Sequence, residues 1–163
     1  MDRRVSIAFD QSLAVQRAGD ESHILGVGTG SDLTYVGQHA QGTVRGRGPG
    51  GVRTHDIDTV FAAGTISSLA LLALLPTIDW RPDGAYAVSI YDTDELSATT
   101  QTLRVVAREQ VTVPAGTFDA YRAELSTTQL PLLLWYTRSA PHRLVKLANT
   151  DGSIVDVLAA RTP

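Results

Sequence analysis

Apolar residues recur at every second position along most of this chain. Val5, Ile7 and Phe9 share one face of an extended segment, and Leu13 and Val15 follow. Leu103, Val105, Ala107 and Val111 repeat the pattern in the second half. A period of two sends alternate side chains to opposite sides of a pleated strand, so the chain reads as sheet with one buried face. Early strands are predicted at Ile24–Val27 and Leu33–Val36, separated by Gly28-Thr29-Gly30-Ser31-Asp32. Two more follow at Thr43–Arg47 and Arg53–Val60, joined by the flexible Gly46–Gly51 run. Later strands are predicted at Ala85–Tyr91, Thr102–Val113, Asp119–Thr127, Pro131–Thr137, Arg143–Asn149 and Ser153–Ala159. Pro114 cannot donate to a ladder and Gly116 accepts a positive φ, so the chain turns there into an antiparallel hairpin. Asp151-Gly152 is a hairpin signal between the last two strands.

The alternation breaks once. Thr65 to Leu75 is rich in Ala and Leu, the strongest helix formers. Ser67 or Ser68 can cap its start and Pro76 ends it. A helix over about 67–75, apolar nearly all round, must lie against an apolar surface. Leu130 to Tyr136 is apolar at successive positions, as in a strand covered on both sides, and the helix is its natural second cover. The expectation is one β-rich domain over 1–163. It is a single curved antiparallel sheet, an open or half barrel, with the Leu69–Leu75 helix on its concave face.

With 163 residues, 43% of them apolar, the chain can bury a sizeable core. Its net charge of −3 carries no footprint for nucleic acid, which needs a basic patch or stripe. Lys146 is the only Lys, so a P-loop lysine is excluded, and the absence of Cys excludes disulfides, thiolate catalysis and zinc–thiolate sites. Met1-Asp2-Arg3-Arg4 opens no signal-peptide pattern. The apolar run Leu69–Pro76 is far short of the ~20 residues of a membrane-spanning helix.

Val113-Pro114-Ala115-Gly116-Thr117-Phe118-Asp119-Ala120-Tyr121-Arg122, then Leu134-Trp135-Tyr136, then Ala140-Pro141-His142-Arg143-Leu144-Val145-Lys146, form a recognisable succession. With Asp58–Gly64 and the helix ending at Leu75-Pro76, it resembles the bacterial domain-of-unknown-function family 3108. The resemblance spans about residues 30–160 and is strongest over 103–158. It implies a curved antiparallel sheet around a helix, similar to carriers that ferry lipoproteins across the periplasm, and a hydrophobic interior. It alone implies a periplasmic or exported location, and it brings no catalytic residues.

Few residues point to chemistry. In a strand, Asp56 and Asp58 share a face roughly 7 Å apart, as a cation site or a general acid/base pair requires, while His55 and Ile57 face the other way. Gly26–Gly30 and Gly46–Gly51 lack the following helix of a dinucleotide loop. Arg45, Arg47 and Arg53 could gather an anion. Ser67 and Ser68 sit in no nucleophile elbow. His23, His39, His55 and His142 lack metal-ligand spacing, so no metal or cofactor is expected.

Aromatic residues offer more: Trp80, Trp135, Tyr86, Tyr91, Tyr121 and Tyr136 could line a cavity beside the helix. The expected function is a non-enzymatic binding module for a hydrophobic or amphipathic, lipid-like molecule held between helix and sheet. Leu71, Leu72, Leu75, Trp80, Leu134 and Trp135 would form its wall and lid. The alternative is a ligand-free interaction domain that self-associates through sheet edges, with Val5, Ile7 and Phe9 either paired internally or added to a neighbour. A third reading is a hydrolase using Asp56, Asp58 and a His.

Overall fold

The computed structural model describes residues 2–24, 27–48, 50–93, 95–127, 130–152 and 155–158. It is mostly β with one short helix. Five strands make one antiparallel meander: β1 (Asp2–Phe9), β2 (Val15–Ile24), β3 (Val27–Val36), β4 (His39–Gly48) and β5 (Gly51–Val60). A second sheet contains β6 (Thr65–Ser67), β7 (Ala85–Asp92), β8 (Ser97–Val113), β9 (Gly116–Leu125), β10 (Leu132–Thr137), β11 (Leu144–Asn149) and β12 (Val155–Val157), hydrogen-bonded in the order β12-β11-β10-β9-β8-β7-β6. This seven-stranded sheet is the curved, open half-barrel; the five N-terminal strands form a separate sheet. The helix α1 spans Ser68–Leu74 and runs into a single 3-10 turn at Leu75–Thr77, where Pro76 sits at the start. Ser67 caps it, its Oγ accepting from the Leu69 N–H at 3.3 Å.

The chain packs as two compact units: Met1–Leu71 with Ser89–Thr99, and Leu72–Val88 with Thr100–Pro163. In the first, Ala18, Leu33, Tyr35, Ala40 and Val44 bury one face of the five-stranded sheet together with Tyr91, and Phe61 and Leu69 pack against them. Phe61 and Tyr91 are in ring contact at 4.5 Å. Gly28–Asp32, expected as a connection, lies inside β3. The register explains it: Gly30 stands opposite Glu21 and Arg45, and a Cβ there would be 2.1 Å from the Asp20 carbonyl oxygen. These glycines let neighbouring backbones approach inside a strand; they do not interrupt it. β6 and β7 pair in parallel through Thr65–Ser67 and Ser89–Tyr91. The helix between them supplies the crossover that a parallel pair requires.

In the second unit, β8 and β9 form the expected hairpin, with Pro114 and Ala115 as its turn and Gly116 at φ 125°. A bulge between Val105 and Ala107 changes the face of everything beyond it. Val105 pairs with Ala123 and Ala107 with Arg122, adjacent residues on opposite sides of β9. The single apolar stripe expected from Leu103 to Val111 is therefore two half-stripes, one per face. Each face carries a buried cluster. Leu103, Val105, Ala123, Leu125, Leu134 and Tyr136 occupy one. Val113, Ala120, Trp135, Val145 and Ala148 form a core on the other, with Phe118 and Leu158 against it. The last four residues of β10, Leu134–Thr137, are all buried, the first three of them as its unbroken apolar run predicts.

Candidate functional site

The richest cluster in the second unit is aromatic. Beyond Pro76 the chain turns tightly, with the Trp80 N–H donating to the Ile78 carbonyl at 3.0 Å. This brings the Trp80 indole back under the end of the helix, where its Nε1–H donates to the Leu75 carbonyl at 2.8 Å. The indole is a second donor to this carbonyl, which also accepts from the Ile78 N–H at 3.3 Å as the 3-10 turn closes. The Trp80 ring stacks on Tyr136, centroids 4.7 Å apart, and lies 6.2 Å from Tyr121. Tyr136 reaches the same helix end, its hydroxyl donating to the Leu72 carbonyl at 3.2 Å. His142 borders the stack, 6.4 Å from Trp80, and its Nδ1 is 2.7 Å from the Thr137 carbonyl. The Tyr86 hydroxyl donates to the Asp79 carbonyl. At the rim, the guanidinium groups of Arg108 and Arg138 each stand 5.9 Å from the Tyr121 ring centroid.

Four of the six predicted residues belong to this layer. Leu75, Trp80 and Leu134 are buried, Leu134 on the same face of β10 as Tyr136, and Leu72 is 37% exposed at the edge. Trp135 lies on the opposite face of β10, because neighbouring strand residues point apart. Its indole N–H donates to Glu109 Oε1 at 2.6 Å and the Lys146 ammonium sits 4.6 Å over its ring. Leu71 is buried and belongs to the first unit. Sequence reasoning missed Arg108 and Arg138. Arg108 faces Tyr121 only in the register set by the bulge, which no local pattern announces.

Burial pushes the Tyr136 phenol well above the ordinary tyrosine range. As the pH rises past about 10, unfolded chains lose this proton while the folded chain keeps it, so the folded state loses stability in that range. Tyr136→Phe should cost about 1 kcal/mol at neutral pH by removing one partly buried hydrogen bond. Urea unfolding of both proteins at pH 7 and pH 10.5 checks this. The gap between them should narrow at the higher pH.

The carboxylate pair is arranged differently from a catalytic dyad. Asp56 and Asp58 do share a face of β5, opposite Thr43 and Gln41. The imidazole on Asp58 is that of His39, at 2.5 Å, and this bond holds the Asp58 carboxyl below its usual range. Both partners stand on an open, exposed sheet face. Arg45, Arg47 and Arg53 do not gather: Arg53 pairs with Gly46, so it points to the face opposite Arg45 and Arg47. Among the described residues, no three His, Asp or Glu side chains meet as metal ligands would.

A helix end laid over a curved antiparallel sheet, with an aromatic layer between, defines the class of protein. The family described as "Protein of unknown function (DUF3108)" matches residues 23–156, and the chain belongs to that family. No curated protein and no solved structure matches it. No helix among the described residues is long and apolar enough to cross a membrane.

Proposed function

We propose that this chain is a non-enzymatic binding module for an amphipathic molecule. The apolar part lies against the curved sheet in the second unit, beneath Leu72, Leu75 and Trp80. One observation carries the reading: the Trp80–Tyr136 stack, its indole and phenol donors turned to helix-end carbonyls, continues to Tyr121 and ends in two guanidinium groups beside that ring. An apolar interior with a cationic rim suits an acyl or aryl tail bearing a carboxylate or phosphate. The cover over the sheet is slight, one turn of helix and a 3-10 turn tied down by two ring donors, so it is the element that would shift to admit the tail.

Native mass spectrometry tests this with palmitate as probe and hexadecanol as its uncharged counterpart. A one-to-one palmitate adduct is expected, weakened about tenfold in the Arg108→Gln, Arg138→Gln double variant. Unliganded masses at every palmitate concentration would overturn the reading. A second reading, self-association through a sheet edge, rests on β5, a ten-residue edge strand with Val52 and Val60 exposed. β1, the other edge, pairs internally with β2. Dimer peaks in the same spectra would favour that reading.

A further inference from the structure

The face of the five-stranded sheet opposite its core carries a groove of about 520 Å³, within the size range of small-molecule sites. Gly19 lies in its floor. It stands between Ser6 and Asp32, and a Cβ there would be 2.8 Å from the Ser31 carbonyl oxygen, so backbone and no side chain lies at this point. Its walls are charged. Arg4, Glu21, Gly30 and Arg45 form one cross-strand row, which reads cation, anion, glycine, cation.

Most of the remaining charge is already committed. Arg17 grips Asp32 through two hydrogen bonds, Nε to Oδ1 at 2.8 Å and Nη2 to Oδ2 at 2.6 Å, and Asp20 accepts from the Ser31 hydroxyl at 2.7 Å. No ion pair joins Arg4, Glu21 or Arg45 among the described residues. The groove therefore presents two guanidinium groups and one carboxylate, all exposed and unpaired, above a floor of bare backbone.

We infer that this groove binds a small zwitterion, with its anionic group held by the Arg4 and Arg45 guanidinium groups and its ammonium on Glu21. A guanidinium recognises a carboxylate or phosphate by paired hydrogen bonds, and a free carboxylate between two cations selects a ligand that carries both signs. A ligand bearing only negative charge meets Glu21 as a repulsive neighbour, which is the discriminating element. Arg45 takes part here with Arg4, from the opposite side of the groove, and not with Arg47 and Arg53.

The probe is phosphoethanolamine, titrated into the whole chain and followed by the backbone amide signals of Gly19 and Gly30. Saturable shifts at both are expected. Glu21→Gln and Arg45→Gln should each weaken binding about tenfold, and both variants, being at exposed positions, should melt with the parent. Inorganic phosphate and ethanolamine, offered separately, should each bind at least about tenfold more weakly than the zwitterion. Absence of saturable shifts would overturn the proposal. So would phosphate binding as tightly as phosphoethanolamine and indifferent to Glu21→Gln, which would mark a generic anion contact. The same head group on lipid vesicles separates the two sources of this chemistry: shifts with the free probe alone indicate a soluble ligand, and shifts with vesicles a lipid head group.

Discussion

Gly42→Ala is expected to destabilise the folded chain by about 3 kcal/mol or more, among the larger effects of a single methyl group. Gly42 pairs with Leu33 on one side and Ile57 on the other, in the middle of the five-stranded sheet. A Cβ at this position would stand 2.0 Å from the carbonyl oxygen of Asp32 and 3.0 Å from the Leu33 Cα. Both are backbone atoms held by the ladder, so no side chain can swing aside. β3 and β4 would have to part, breaking ladder hydrogen bonds and opening the core around Leu33 and Ala40. Gly46→Ala, four residues along the same strand, is the matched control. A Cβ there meets nothing within 4 Å, and the change should stay within about 0.5 kcal/mol. Thermal unfolding of the two variants decides it. With a chain of this size, Gly42→Ala should lower the midpoint by roughly 6–12 °C, and similar midpoints for both would sink the close-approach argument.

Trp80→Ala is the second large effect, expected at about 3–5 kcal/mol. The side chain is 5% exposed, so nearly its whole surface leaves water on folding. Its removal takes away the stack on Tyr136 and leaves the Leu75 carbonyl without its indole donor. Trp80→Phe separates these contributions. The phenyl ring keeps much of the burial and stacking but no donor, so its cost should fall to about half that of alanine or less. Leu72→Ala, at a position 37% exposed, should cost about 1 kcal/mol, since little area returns to water. Urea unfolding of the three variants gives the order. A Trp80→Ala loss no larger than that of Leu72→Ala would show that the aromatic layer does not hold the helix end to the sheet.

Much of this fold was legible. Period-two runs mark strands because a pleated strand cannot place neighbouring side chains on one side. The Ala- and Leu-rich run with Ser67 before it and Pro76 behind it marks the helix, because caps and breakers act locally. The unbroken run through β10 announces burial on both faces. Other features depend on what lies opposite. Gly28–Asp32 reads as a connection until Glu21 and Asp20 are known to face it. Leu103 and Val111 read as one stripe until the extra residue at the bulge is placed.

The candidate site was legible in part for the same reason. Leu72, Leu75, Trp80 and Leu134 could be named together because an apolar helix needs an apolar sheet face. Trp135, next in sequence to Leu134, falls on the far side of its strand. Arg108 and Arg138 reach Tyr121 through register and chain path, and neither appears in a local pattern. The groove of the five-stranded sheet depends on Arg4, Glu21 and Arg45, residues spread over forty positions that only cross-strand pairing brings into one row.

By itself, the sequence determined most of the strands, the helix, the hairpin turn at Pro114–Gly116 and the family, because these follow from backbone sterics, periodicity and short-range capping. Tertiary structure alone decided the division into two sheets, the parallel pairing of β6 with β7, and which face each charged side chain occupies. Those outcomes turn on strand register, where a shift of one residue moves every side chain to the other face.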